Sequence, residues 1–418
     1  MPWTLVFALV VFLPIAAMNY YVWRKAFKSL CELTTWDRKW LRIVSVGFHV
    51  WVTILPVVYA ISYLIVGRRA IPAFAGESPA IDLIFSYPFW IAMVVVVQLC
   101  MVFALLDIFE FAALRFLPAA KGWFRRHSSR IYVFLMVIIT PYSVVTIVRD
   151  TWTVRVVEHN VVLPPELRSL HGFRIAQISD VQEDGRTTAN ELREYVAMVN
   201  ALHPDLVLFA GDLVTSGTRY IDSAAEIMGG LQSRFGTFAA VGDHEIFSNK
   251  AMVMGALERR GIKTIEDSTI VLNVDSTRVT ITVVTYTYLQ KPTKAKLHNI
   301  MIGMDETYKI FLVHQPGEEL VQFARQNGYN LFLAGHTHGG GLAFGIPGMF
   351  LLAPATLESN YVSGLFQVGQ MTVSVTNGLG LTLAPVRVNA PAEISIINLQ
   401  QRGATPSVLC LSLILYFS

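Results

Sequence analysis

The sequence predicts a four-helix membrane region followed by a layered α/β domain. Three observations predict it. Hydrophobic residues make up 53% of the 418-residue chain and charged residues only 15%, with the apolar excess confined to positions 1–150. After Pro164-Pro165, apolar runs of strand length alternate with helical periods, the pattern of an α/β domain. Several of those runs end in an acid or a histidine, most plainly the segment 331–340, LFLAGHTHGG, where His336 and His338 stand one residue apart.

The first part contains four apolar segments, 3–23, 43–66, 83–106 and 131–148, each near the roughly 20 residues that a bilayer requires. The fourth carries Pro141, which a helix in lipid accepts when neighbours satisfy the freed carbonyl. No basic residue precedes the first apolar run and positive charge follows it, so it is expected to be a retained helix, not a cleaved signal. Arg24, Lys25, Lys28, Arg38, Lys39 and Arg42 crowd the first loop, and Arg115, Lys121, Arg125, Arg126 and Arg130 the third. The middle loop has Arg68 and Arg69 alone. The positive-inside rule then places the two rich loops in the cytoplasm and everything after Val148 outside, making a multi-pass protein with an extracytoplasmic domain. Polar residues within these segments are few, and His49 and Gln98 are the two that could mark a conducting path. They are expected to hydrogen-bond neighbouring helices, and the bundle to serve as an anchor with no paired acid and base at matching depths.

Composition excludes other classes. A net charge of +3 without a Lys/Arg run beside an aromatic platform gives no footprint for nucleic acid. Cys31, Cys100 and Cys410 have neither disulfide-framework nor metal-ligand spacing.

Residues 151–171 read as linker and domain entry, 172–400 as the exposed domain, and 401–418 as an apolar tail whose run of about 11 residues is too short to span. Within the domain a buried strand near 173–179 ends at Asp180. A polar loop follows, then a helix from Thr188, where Glu191 three residues on completes a capping box. A second strand, 206–210, closes on Gly211-Asp212, and a third, 237–241, on Gly242-Asp243-His244-Glu245. The strand 309–313 ends at His314, and 331–334 at the histidine pair. Strands 371–375 and 393–399 complete the domain. Open α/β sheets place their sites at such carboxyl ends.

Collected, the strand ends offer Asp180, Asp212, Asp243, His244, His314, His336 and His338. Three carboxylates and four imidazoles exceed one zinc site of four ligands. They suit two ions about 3.5–4 Å apart sharing a carboxylate, an arrangement that binds phosphoryl oxygens and activates water.

The ordered set Asp180, Gly211-Asp212, Gly242-Asp243-His244-Glu245, His314-Gln315-Pro316 and Gly335-His336-Thr337-His338-Gly339-Gly340 resembles the calcineurin-like metallophosphoesterases. It is most similar to the membrane-associated branch in which a few helices precede the catalytic domain. The resemblance covers about 172–399 and implies a β-sandwich flanked by helices. It implies further that Asp180 and His338 hold one ion, that Asp212 bridges, and that Asp243, His314 and His336 hold the other. His244 would be the general acid or oxyanion stabiliser with Glu245 behind it, and a metal-bridging hydroxide would attack phosphorus in line. Two departures stand out. Gln182 replaces the histidine of the family's D-x-H motif, and an amide oxygen suits a harder ion such as manganese better than iron or zinc. Asp243 replaces an asparagine, adding negative charge. Glu183 and Asp184 are alternative ligands for the first ion, and Arg186 a candidate contact to the substrate phosphate.

Two readings follow. One is a metal-dependent phosphoesterase with two divalent ions (manganese, iron or zinc, with manganese favoured) acting on a phosphorylated substrate at the membrane, a lipid-linked or envelope phosphate. The other is a non-catalytic metal- or ligand-binding membrane protein on the same scaffold. The apolar segment 348–366 is expected to be β-hairpin core beside the site.

Overall fold

The computed structural model describes residues 3–67, 76–116, 121–300, 308–346, 350–381 and 384–401. The apolar tail, 402–418, lies outside the described residues, as do the side chains of residues 3–12.

The chain divides into two compact units. The first begins with α1 (Trp3–Leu33), α2 (Arg38–Val66), the short α3 (Pro79–Ile81), α4 (Tyr87–Phe116) and α5 (Lys121–Thr151). Among the described residues, three helical stretches, Arg38–Val66, Pro79–Ala113 and Arg126–Thr151, are long and apolar enough to cross a membrane. Asp37 caps α2 by accepting a hydrogen bond from the Lys39 N–H, and Pro14, Pro56 and Pro141 lie inside their helices.

The helices run beyond the apolar segments and carry polar contacts there. Lys25 on α1 and Asp107 on α4, each just outside a predicted span, form an ion pair at 2.7 Å. Tyr21 donates to the same carboxylate at 2.7 Å, and Tyr132 on α5 donates to it as well. This acid and base, paired just outside the predicted spans, tie α1, α4 and α5 together. His49 bonds the Ser45 carbonyl of its own helix at 2.6 Å, not a neighbour.

The second unit holds two six-stranded sheets. The first contains β1 (Val154–Val162), β2 (Arg174–Ile178), β3 (Leu206–Phe209), β4 (Thr237–Ala239) and β5 (Lys263–Thr264). The second contains β6 (Ser268–Val274), β7 (Thr277–Val284), β8 (Tyr308–Val313) and β9 (Leu331–Ala334). A separate two-stranded ladder, which groups with the first unit up to Leu351, joins β10 (Phe344–Ile346) and β11 (Phe350–Leu352). Then β12 (Gly364–Val368) and β13 (Met371–Val375) complete the second sheet and β14 (Ala392–Gln400) the first. The order is β1-β14-β2-β3-β4-β5 in one sheet and β12-β13-β9-β8-β7-β6 in the other. Much of the stretch read as domain entry is thus strand β1, paired with β14 in parallel from Val154 against Ala392 to Val162 against Gln400.

Side-chain alternation explains why these runs are apolar throughout. In β3, Leu206 and Leu208 join a cluster with Ile281, Ile310, Leu312, Leu331 and Leu333 of the other sheet, while Val207 and Phe209 point to the opposite face. That opposite face is covered by α6 (Ala189–Ala201), α7 (Ile221–Met228) and α9 (Lys250–Arg259), through Leu192, Val199, Ala224 and Val253. In β9 the alternation repeats, with Phe332 and Ala334 facing α10 (Lys294–Asn299) and α11 (Glu318–Gln326) through Leu297, Leu320, Val321 and Ala324. Strands buried on both faces read as continuous hydrophobic runs. The capping box at Thr188 and Glu191 is present.

What this achieves for function is register. The strands β2, β3 and β4 are parallel neighbours, as are β7, β8 and β9. Their carboxyl ends deliver Asp180, Asp212, Asp243, His314 and the pair His336 and His338. Asp243 and His244 open α8 (Asp243–Ser248).

Candidate metal centre

The backbone turns sharply where these residues sit. Positive φ angles occur at Asp180 (50°), Gln182 (48°), Asp212 (64°), His336 (71°) and His338 (50°). Only nine non-glycine residues among those described have positive φ, so five of the nine fall in one candidate site. Such conformations cost on the order of 1–3 kcal/mol each and persist where the surroundings impose them. Here the reason is that each strand must end abruptly to aim its side chain inward.

Asp212 is central. Its Oδ2 lies 3.2 Å from His314 Nε2 and 3.3 Å from Gln182 Nε2, while its Oδ1 accepts the His244 N–H at 2.8 Å. On one side, Asp180 Oδ1 is 3.3 Å from His338 Nε2, which is 3.2 Å from Gln182 Nε2. On the other, Asp243 Oδ2 is 3.1 Å from His336 Nδ1 and 3.4 Å from His314 Nε2. The two histidines of the opening motif thus turn to different acids. Two groups have the spacing to hold an ion, Asp243 with His314 and His336, and Asp180 with Asp212 and His314.

The donor atoms fit divalent ions. Asp180 Oδ1, Gln182 Oε1 and His314 Nε2 are buried without a hydrogen bond, although the first and third stand 3.2–3.4 Å from other potential ligands. Buried polar groups are nearly always satisfied, which makes Asp180 Oδ1 and His314 Nε2, close to other possible ligands, candidates for binding a cation. Charge agrees. Burial alone would raise the Asp180 carboxyl, but His338 outweighs it and holds the carboxyl well below the usual range. Burial would lower His314, and Asp212 outweighs it to push the imidazole well up. A divalent ion competes for those same positions, since ligands must be deprotonated to bind.

An outer layer holds these groups. His314 Nδ1 bonds the Ala210 carbonyl at 2.8 Å, which turns Nε2 inward. Glu245 accepts N–H bonds from Leu213 (2.7 Å), Asp212 (2.9 Å) and Gly242 (2.6 Å), so it fixes the β3 and β4 loops and not an ion. Burial and then Asp212 push its carboxyl up. His244 Nδ1 bonds the Thr215 carbonyl, leaving Nε2, 3.8 Å from Asp212 Oδ2, toward the cleft.

Glu183 and Asp184 point elsewhere. Glu183 accepts from Ser223 at 2.8 Å. Asp184 accepts the Arg186 and Thr187 N–H groups and the Thr215 hydroxyl. Gln182 is therefore the side chain of this loop that reaches the centre. Arg186 contributes its N–H to Asp184 at 2.6 Å.

The sequence reading missed Tyr288 and Glu358. Tyr288 donates its N–H to Asp243 Oδ1 at 2.8 Å, and Gln315 Nε2 donates to Asp243 Oδ2 at 2.8 Å. Tyr288 lies just past the end of β7, so the strand-end signal pointed there, but without an acid or histidine it drew no notice. Glu358 follows a short helical turn, Pro354–Leu357, and carried no signal.

Residues 173–340 match the model of the calcineurin-like phosphoesterase family. A Danio rerio protein named transmembrane protein with metallophosphoesterase domain is 30% identical over 297 residues, 68% of this chain and 64% of its own. The chain therefore spans less than two thirds of that relative. The uncharacterized metallophosphoesterase YkuE of Bacillus subtilis is 28% identical, over 55% of this chain and 79% of its own. The phosphodiesterase YaeI of Escherichia coli is 26% identical, over 54% and 82%. With the strand-end acids and histidines gathered into two potential ion sites, residues 173–340 form a domain that matches the calcineurin-like phosphoesterase family, and apolar helices precede it.

Proposed function

We propose that the chain is a membrane-anchored, metal-dependent phosphoric ester hydrolase acting on a phosphate ester of a lipid or envelope component. The observation that carries it is the convergence of buried, unsatisfied donor atoms on Asp212 with His244 beside them. Asp180, Gln182 and His338 would hold one ion, Asp243, His314 and His336 the other, with Asp212 shared. Two divalent ions, when bound, polarise the phosphoryl oxygens and lower the pKa of water. The chain's own part is to bind, orient and move a proton. His244, a fifth exposed, is fixed through Nδ1 so that Nε2 serves the leaving oxygen or the charge on phosphorus. Arg186 is a candidate for the substrate phosphate.

Manganese is favoured because of Gln182. Its amide stands with Nε2 toward Asp212 and His338 and Oε1 unsatisfied. The two ends of an amide are assigned from hydrogen bonding, and a half-turn puts the oxygen toward the same two groups. The undisturbed amide favours a second reading, a scaffold that holds one ion or none.

Exposed apolar side chains border the cluster and support an amphiphilic substrate. Phe247 packs on His244 with ring centroids 5.8 Å apart, and Tyr288 on His336 at 5.3 Å. Leu289 and Leu357, which is 91% exposed, are the sequence neighbours of Tyr288 and Glu358. The loop charges support a domain outside the cytoplasm, and the Escherichia coli relative's name favours a diester.

The full chain in detergent, loaded with manganese, is expected to hold two ions and to hydrolyse a generic phosphodiester, with His244→Ala reducing turnover at least about a hundredfold while both ions stay. One ion or fewer, with no turnover sensitive to His244, favours the scaffold. Gln182→His is expected to raise zinc or iron affinity by roughly tenfold or more, an imidazole being the better ligand for those ions. Unchanged affinity in a competition titration would mean that residue 182 does not face the ion.

A further inference from the structure

We propose that Glu358, braced by Tyr288, is the residue that orients His336 for the second ion. This rests on the two-ion reading above.

His336 has two ring nitrogens and they face different surroundings. Nδ1 lies 3.1 Å from Asp243 Oδ2, inside the cluster. Nε2 lies 3.2 Å from Glu358 Oε2 and 3.3 Å from the Tyr288 hydroxyl, on the outer side. In neutral imidazole only one nitrogen carries a proton. Carboxylates face both nitrogens, and with Asp243 Oδ2 engaged as a ligand the tautomer that frees Nδ1 is the one whose Nε2–H donates to Glu358. That leaves the Nδ1 lone pair aimed at the point it shares with Asp243 and His314. Histidines that ligate metals ordinarily pass their other N–H to a carboxylate or carbonyl, and loss of that partner costs about 10–100-fold in metal affinity.

Tyr288 makes the arrangement rigid. Its hydroxyl donates to Glu358 Oε2 at 2.6 Å, and its backbone N–H donates to Asp243 Oδ1 at 2.8 Å. Tyr288, four residues past the end of β7, therefore holds both the carboxylate that orients the histidine and the carboxylate that would share its ion. His314 gets the same service from the Ala210 carbonyl. The two histidines of the second site thus have their outer nitrogens engaged, one by backbone and one by Glu358. Glu358 is half exposed and hydrogen-bonded with His336 and Tyr288 on the outer side of the cluster, so it is a positioning residue and not a ligand.

The test is a titration of chelator-treated full-length protein in detergent with manganese, following each binding step by competition with an indicator. For Glu358→Ala one step is expected to weaken about 10–100-fold and the other to keep its wild-type affinity. Glu358→Gln, whose amide oxygen still accepts from Nε2–H, should recover part of the loss. Tyr288→Phe, which keeps the backbone N–H, should weaken the same step by less. The melting temperature of the chelated protein should stay that of wild type, because the lost contact lies at a half-exposed side chain. Wild-type affinity at both steps in Glu358→Ala overturns the proposal, and so does equal weakening of both steps. Wild-type protein that binds fewer than two ions overturns the two-ion reading and this proposal with it.

Discussion

Asp212→Ala is expected to release both ions and to reduce phosphoester turnover by about a thousandfold or more, on the order of 4 kcal/mol in the barrier. Asp212 meets members of both proposed sites. Its Oδ2 lies within 3.3 Å of both His314 and Gln182, and its Oδ1 holds the His244 backbone. Removing it also leaves His314 Nε2, already without a hydrogen bond, facing a hole. Asp212→Asn separates charge from shape. The amide oxygen can still accept the His244 N–H, so the loop should stay in place, but the charge shared by the two ions is gone. Metal content by elemental analysis after dialysis, measured with kcat/KM, checks both variants. Two retained ions in Asp212→Ala would show that Asp212 is not the shared ligand.

Gly335→Ala is expected to damage the fold and the centre together. A Cβ at this position would lie 1.8 Å from Ser179 Oγ and 2.5 Å from Asp180 Oδ2. The chain has little room to retreat, since the Gly335 N–H is bonded to the His314 carbonyl at 3.0 Å and the His336 N–H to Asp180 Oδ2 at 2.9 Å. Overpacking of this kind costs about 1–3 kcal/mol or more, roughly 2–12 °C in Tm for a domain of this size. Asp180 must also move, so the first ion should go before the second. Ser179→Gly in the same chain removes the nearest atoms and should restore part of the Tm. A variant with wild-type Tm and two ions would mean that the two strand ends are looser than their packing indicates.

Much of the centre was legible because strand chemistry is local. Apolar runs buried on both faces, each ending in an acid or histidine, announce themselves at 206–212, 237–245, 309–314 and 331–338, and the structure brings those ends together. The helical lengths were legible too, but their ends were not. Apolarity marks only the part of a helix suited to lipid, so Lys25 and Asp107 read as loop residues, whereas α1 and α4 continue past them and pair them. Strand β1 hid for the opposite reason. An edge strand with partly buried side chains has no continuous apolar run to betray it.

By itself the sequence determined which groups are present and that strands would carry them, because residue type and the two-residue period of a strand are properties of short segments. Tertiary structure alone decided where each group points. Two histidines at i and i+2 look equivalent on paper, yet positive φ at both sends one to Asp243 and the other to Asp180. Three consecutive polar residues, Gln182, Glu183 and Asp184, look interchangeable as ligands, yet hydrogen bonds to Ser223, Thr215 and nearby N–H groups draw the two acids away and leave the amide. Glu358 meets His336 across 22 residues of chain, and Tyr288 across 48. Direction and distant neighbours are set by how the sheets and loops pack, and no local pattern encodes them.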